Sequence, residues 1–260
     1  MAVPLPVGGL KMALDRIALT GFRNHHASGL DGTRRFNLLV GENGAGKTNV
    51  LEALSLLAPG RGLRRAPLAE MAAKHGPGGF AVGASLGPGA AAVRLGTLTE
   101  PARPTRRLVR INGAEASAVA LGEWLSLAWL TPAMDGLFTD SAGARRRWLD
   151  RMAVALDAGH ARAAARYDAA LRERNRLLAG DAAPDPLWLD AIEGQMGEAG
   201  AALAAGRRAV AEAVAAELAE LPAEPFARPL LAYRPGGPAD PAACAYCRPR
   251  CAQWGNCQFL

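Results

Sequence analysis

The chain has 260 residues, 50% apolar and 21% charged, the balance of a soluble globular protein with room for one large domain or two small ones. Its formal charge of +6 rests on arginine, since only Lys11, Lys47 and Lys74 among the 30 basic residues are lysines. A basic n-region followed by an apolar core is not visible in residues 1–11, and the longest uncharged run, about 75–93, is broken throughout by Gly and Pro and makes a poor membrane span, so a soluble cytoplasmic protein is expected. Arginine makes bidentate phosphate contacts, so the charge fits a nucleic-acid partner, and an arginine-biased codon composition accounts for it equally well.

Residues 1–13 read as a flexible leader, with Met12 as an alternative start. From Leu14 to Thr20, Ile17 and Leu19 alternate with Arg16 and Ala18, as on a half-buried strand. A polar turn is expected at Gly29, Asp31 and Gly32, followed by a buried strand Phe36-Asn37-Leu38-Leu39-Val40 that runs into a Gly-rich loop. After the loop, Val50, Leu51, Ala53, Leu54 and Leu57 fall at helical spacing, and Pro59-Gly60 ends the helix.

Residues 61–113 are rich in Gly, Pro and Arg, with apolar stretches at 80–86, 91–98 and 108–111 and a hairpin signal at Asn112-Gly113. They predict a small antiparallel sheet beside the nucleotide-binding core, the two together forming a lobe over 14–143. Ala, Leu and Arg/Glu stretches over 144–221 predict a helical subdomain of two or three helices, interrupted near 180–186. Residues 222–260 read as an irregular, Cys-rich tail.

The chemistry concentrates in Gly41, Glu42, Asn43, Gly44, Ala45, Gly46, Lys47 and Thr48, which satisfy the G-x-x-x-x-G-K-[ST] pattern of a P-loop. Glycines let the backbone curl until successive N–H groups face a β-phosphate. The helix that follows adds unpaired N–H donors and the positive end of its dipole. Lys47 is expected to reach the β- and γ-phosphates of ATP, Thr48 to place its hydroxyl on Mg²⁺, and Asn49 to complete the nucleotide-binding set. A strand before and a helix after the loop are the context that this chemistry requires.

The flanks narrow the class. Leu19-Thr20-Gly21-Phe22-Arg23-Asn24, Leu51-Glu52-Ala53-Leu54 and the run from Pro59 through Gly60-Arg61-Gly62-Leu63-Arg64-Arg65 resemble stretches of the RecF family of recombination and repair ATPases. So do Leu130-Thr131-Pro132 with Asp135 and Leu137, the run Arg145-Arg146-Arg147-Trp148-Leu149-Asp150-Arg151, and Tyr167 with Arg174-Asn175-Arg176-Leu177-Leu178. The resemblance runs in order from about residue 14 to 180. It implies an α/β fold, a P-loop NTPase head of the ABC/SMC kind with an antiparallel accessory sheet and a helical arm. It implies ATP-dependent DNA binding in replication and recombinational repair, loading recombinase at single-stranded gaps in the SOS response, with RecR- and RecO-like partners and an ATP-dependent homodimer. By the same resemblance Arg23 and Asn24 approach the nucleotide.

Heads of this kind complete their site with an LSGGQ-like signature and a Walker B strand ending in Asp-Glu. Neither occurs in the 260 residues, so the chain is expected to be C-terminally truncated, to bind ATP, and to hydrolyse it poorly if at all. Three alternatives stay open: a nucleotide-binding switch without turnover, a truncated product that does not fold stably, and an ABC transporter subunit, which the motifs at Phe22-Arg23-Asn24 and Arg145 to Arg151 disfavour.

Three arginine groups stand out: Arg61/Arg64/Arg65, Arg103/Arg106/Arg107/Arg110 and Arg145/Arg146/Arg147/Arg151. The first and third are candidate DNA contacts at Arg61, Arg64, Arg65, Arg145, Arg146 and Arg147, with ATP phosphates the alternative for the first group. The second is either a DNA contact or an ion-paired surface. In the third, Trp148 and Leu149 are expected to pack inward, with arginines of the cluster pairing to Asp150. His25 and His26 read as surface residues. Cys244, Cys247, Cys251 and Cys257 have C-x2-C-x3-C-x5-C spacing, conceivable for zinc, but a shifted reading frame explains the abrupt change of composition better.

Overall fold

Alternation of apolar and small or polar side chains builds the first half of the structure, a computed structural model that describes residues 14–233 apart from 88, 181–183, 223 and 226. The expected leader and the four cysteines lie outside the described residues. The chain divides into two units. The first runs to Thr139 and takes in Val154–Ala158; the second holds Asp140–Ala153 and the residues from Gly159 on.

The first unit is a six-stranded antiparallel sheet of order β2-β1-β3-β4-β5-β6, with β1 Leu14–Phe22, β2 His25–Asp31, β3 Phe80–Leu86, β4 Val93–Glu100, β5 Arg103–Ile111 and β6 Ala114–Ala116. Its inner face carries Ile17, Leu19, Val82, Leu86, Leu95 and Val109. Phe22 and Phe80 meet edge to face with centroids 5.2 Å apart. Helix α1, Lys47–Ser55, lays Val50 and Ala53 on that layer, joined by Leu56, Leu57 and, from the short α2 (Leu121–Trp124), Leu121. The three later hairpins and the Asn112-Gly113 turn follow the expected pattern, Asn112 and Gly113 both having positive φ.

Two expectations fail. The turn is not at Gly29 and Asp31: those residues belong to β2, and the chain reverses at Arg23-Asn24, where Phe22 pairs with His25. β2 lacks the alternation that marks a strand because it lies at the sheet edge, with all but its first residue exposed. The buried strand over 36–40 is also absent. Those residues pair with no strand among the described residues, and Phe36, Leu38 and Val40 are 84%, 87% and 82% exposed. Their nearly continuous apolar run fits a buried strand, but a segment becomes a strand only when a neighbour takes its N–H and C=O groups.

Arg107 of β5 is spent inside the fold. It donates to the carbonyls of Leu56, Ala58 and Gly60 and to Thr97 Oγ1, placing a cation at the negative end of α1. Burial pushes its pKa down to about 10, which leaves it charged at neutral pH.

The second unit is helical, holding α3 (Ala142–Leu156) up to Ala153, α4 Gly159–Leu178 and α5 Pro186–Glu220. Asp185 caps α5 by accepting from Leu187 N–H, with Pro186 in the first turn where no N–H is needed. Contacts of His160 with Gly206, Tyr167 with Gly200 and Arg174 with Glu193 show α4 and α5 to be antiparallel. Tyr167, Ala170, Ile192, Met196, Ala199 and Leu203 form their seam. Among the described residues no helix is long and apolar enough to cross a membrane.

Asp150 joins all three helices. Its Oδ1 is 2.7 Å from Arg207 Nε and 2.8 Å from His160 Nε2, while Oδ2 is 2.8 Å from Arg207 Nη2. The carboxylate is thus bound by residues far along the chain, whereas the sequence suggested pairing with its own arginine cluster. Burial alone would raise the Asp150 pKa, but the hydrogen bonds and charges of His160 and Arg207 hold it below the ordinary value. A group with a depressed folded-state pKa stabilises the fold above its unfolded pKa and loses that contribution as pH falls through the folded value. Asp150→Asn should cost about 3–5 kcal/mol by leaving Arg207 buried without a counter-charge, and should remove this part of the acid limb, both read by urea melts across pH.

Candidate nucleotide-binding site

Three glycines shape the loop before α1: Gly41, Gly44 and Gly46 have φ of 156°, 90° and 95°, a region that L side chains rarely adopt. Gly46 is the N-cap of α1 and, lacking a side chain, offers no cap to the first-turn N–H groups. Lys47 curls back over the loop, its Nζ donating to the Gly41 and Glu42 carbonyls at 2.7 and 2.8 Å. Thr48 stands exposed beside it, Asn49 is half-buried, and Glu42, Asn43 and Ala45 form the exposed rim. Backbone donors at an uncapped helix start, a lysine head above them and a free-standing hydroxyl fit a triphosphate. For Mg²⁺ the same residues offer the Thr48 hydroxyl, and among the described residues no group of three or more His, Cys, Asp or Glu side chains could hold a metal ion.

The loop is held from below by the β1–β2 turn. Arg23, at φ 54°, occupies a conformation costly for a bulky residue, and its side chain compensates. Nε and Nη2 lie 3.0 and 2.8 Å from the two carboxylate oxygens of Glu52 on α1, and Nη1 donates to the Glu70 carbonyl. Glu52 is fully buried and takes a second arginine, Arg64, at 3.1 Å; Arg64 also donates to Asn49 Oδ1. Asn24 Nδ2 donates to the Gly44 carbonyl while its Oδ1 accepts from Asn49. Arg23 is therefore committed to Glu52, and Asn24 lies against the loop.

His25 differs from the surface reading. It is half-buried, with Nε2 at 3.2 Å from the Gly46 carbonyl and Nδ1 at 2.9 Å from Ser28 Oγ. His26 is exposed. No periodicity marks His25, because the β-strand that it opens has no apolar face.

The arginine groups separate. Arg61 and Arg65 are exposed, and Arg61 lines a cleft of about 360 Å³ with Leu56, Pro67 and Thr105. Arg106 pairs with Glu115 at 3.6 Å on the surface, and Arg107 caps α1, so the middle group is at least half structural. On α3, Arg147 is exposed, Arg145 and Arg146 are half-buried, and Arg145 donates to the Asp140 carbonyl. Trp148 and Leu149 are half-buried.

Residues 36–79, which contain this loop, match a family described as "AAA domain, putative AbiEii toxin, Type IV TA system". The chain is 49% identical over 211 residues to the DNA replication and repair protein RecF of Mesorhizobium japonicum, a match covering 80% of this chain and 55% of the relative. Over the residues that it spans, the chain is similar to proteins of the RecF family. Identity to the RecF protein of Brucella suis is 46% over 220 residues, covering 83% of this chain and 56% of that one. The chain thus spans about 55% of the length of these relatives. A solved structure of the recombination mediator protein RecF-ATP in the RecFOR pathway superposes with a TM-score of 0.79 at 19% identity, covering 96% of this chain and 70% of that one. A second, of RecF-ATPrS, gives 0.71 at 21% identity, over 83% of this chain and 58% of the other. The α/β P-loop fold is therefore that of RecF.

Glu52→Ala should lower stability by about 3–5 kcal/mol, because Arg23 would be left part-buried without its counter-charge; thermal and urea melts measure the loss.

Proposed function

We propose that the chain is the nucleotide-binding part of a RecF-type protein of DNA replication and repair, binding ATP with Mg²⁺ at residues 41–48. The observation that carries this reading is the loop itself: three positive-φ glycines, an uncapped α1 and Lys47 folded over the loop carbonyls. In this role Lys47 exchanges those neutral carbonyls for β- and γ-phosphate oxygens, so that its charge meets an opposite charge. N–H groups at the start of α1 take the β-phosphate, Thr48 contributes its hydroxyl to the metal, and Asn49, tied to Asn24 and Arg64, borders the site. ATP supplies the transferable phosphoryl group; the residues of this chain bind and orient it.

Relatives named as DNA replication and repair proteins support DNA as the partner. Exposed Arg61, Arg65 and Arg147 are the side chains best placed to meet phosphates, with Arg64, Arg145 and Arg146 already holding protein groups or half-buried. Work at single-stranded gaps, RecR- and RecO-like partners and pairing of two copies around ATP belong to the same reading. A second reading, binding without turnover, is favoured by Glu52: the carboxylate of α1 is bound by two arginines and is not free to hold metal or activate water.

Calorimetry of the 260-residue chain with ATP and Mg²⁺ tests the proposal. Lys47→Ala should weaken binding by about 10- to 100-fold with the fold intact. No binding by a folded wild type would refute ATP recognition, and phosphate release on the same sample separates turnover from binding alone. Affinity for gapped DNA should fall linearly with the logarithm of salt concentration, and Arg61→Ala with Arg65→Ala should flatten that slope; an unchanged slope would remove these residues from the DNA surface.

A further inference from the structure

We infer that His25 is a positioning residue of the nucleotide site, its imidazole holding the Gly46 carbonyl and thereby aiming the backbone N–H of Lys47. This rests on the reading of residues 41–48 as a phosphate loop.

A peptide group is rigid, so the Gly46 C=O and the Lys47 N–H lie in one plane and point in opposite directions. Whatever fixes the carbonyl fixes the N–H. Gly46 itself supplies little restraint, being a glycine at φ 95°, and its carbonyl accepts one helical bond, from Val50 N–H at 3.1 Å. The second bond to that oxygen comes from His25 Nε2 at 3.2 Å. With the carbonyl turned toward His25, the Lys47 N–H turns away from it.

The chemistry of the partners settles the tautomer. A carbonyl oxygen only accepts, so Nε2 carries the proton, and in the neutral ring Nδ1 accepts from the Ser28 hydroxyl 2.9 Å away. The ring also packs against the loop. A Cβ built on Gly46 would lie 2.6 Å from His25 Nε2 and 2.7 Å from Asn24 Oδ1, so the imidazole rests directly on the glycine backbone. The pairing of Phe22 with His25 sets the ring at the first position of β2, and the bond of Asn24 to Gly44 holds the preceding turn of the loop from the same hairpin.

The test compares His25→Gln, which keeps a donor where Nε2 stood, with His25→Asn, which reproduces only the Nδ1 position, and with His25→Ala, each in the 260-residue chain. ATP affinity with Mg²⁺ should stay within about twofold for Gln and fall roughly five- to tenfold for Asn and Ala, the scale of one hydrogen bond, with melting temperatures alike. Imidazole ¹⁵N spectra of the wild type should show a protonated, hydrogen-bonded Nε2. Equal affinities across the wild type and all three variants, an equal loss in all three variants, or an Nδ1–H tautomer would overturn the role. If wild type and Lys47→Ala are both inert toward ATP, the nucleotide reading itself falls and takes this role with it; a working Lys47 control beside an undisturbed His25→Ala rejects the His25 role alone.

Discussion

A single buried carboxylate organises the nucleotide half of this protein. Glu52 sits one and a half turns into α1, sealed from water, where Arg23 and Arg64 reach it from separate segments. That convergence couples three things otherwise independent: where α1 begins, how the β1–β2 hairpin turns, and the course of the chain just after α1. Buried ion pairs of this kind contribute little net stability, since desolvation offsets the attraction, but a misplaced partner is expensive. The pairing therefore selects one arrangement more than it strengthens it. The unfavourable φ of Arg23 is offset by the bonds of its guanidinium to Glu52 and to the Glu70 carbonyl.

The helical unit uses the same device. Its α4–α5 seam is rich in alanine, and alanine faces slide past one another with little change in contact. Asp150 with Arg207 and His160, and Arg174 with Glu193, fix the register at points along the seam. Gly200 and Gly206 complete the match by letting the rings of Tyr167 and His160 lie against the α5 backbone. In both units the acid comes from a motif visible in the sequence, while its arginine partners in part come from elsewhere.

Much of the fold was legible because periodicity survives where one face is buried. β3 was expected over its full length from the apolar stretch at 80–86, β4 and β5 only in part from those at 91–98 and 108–111, and the helices of the second unit from their Ala, Leu and Arg/Glu composition. β2 was missed, since an edge strand exposed on both faces carries no pattern, and so the hairpin turn was placed too late. The segment at 36–40 misled in the opposite sense, since its apolar run is that of a buried strand but no neighbour pairs with it among the described residues. In the site, the glycines and Lys47 announce themselves by spacing. His25 does not, because its role depends on a turn position and on a carbonyl that no side-chain pattern reveals. Arg107 was hidden for a related reason: within a run of arginines, only the parity of β5 sends one of them inward to cap α1.

The exposed row of Phe36, Leu38 and Val40 sets how this chain behaves as a colloid. Three large exposed apolar side chains within five residues, on a segment that pairs with no strand among the described residues, offer another molecule a sticky face. A net charge of +6 keeps molecules apart at low ionic strength, and added salt screens that repulsion while leaving the apolar attraction intact. Purification and storage of this chain are accordingly a contest between ionic strength and concentration, with dilute, low-salt buffer the side on which it stays dispersed.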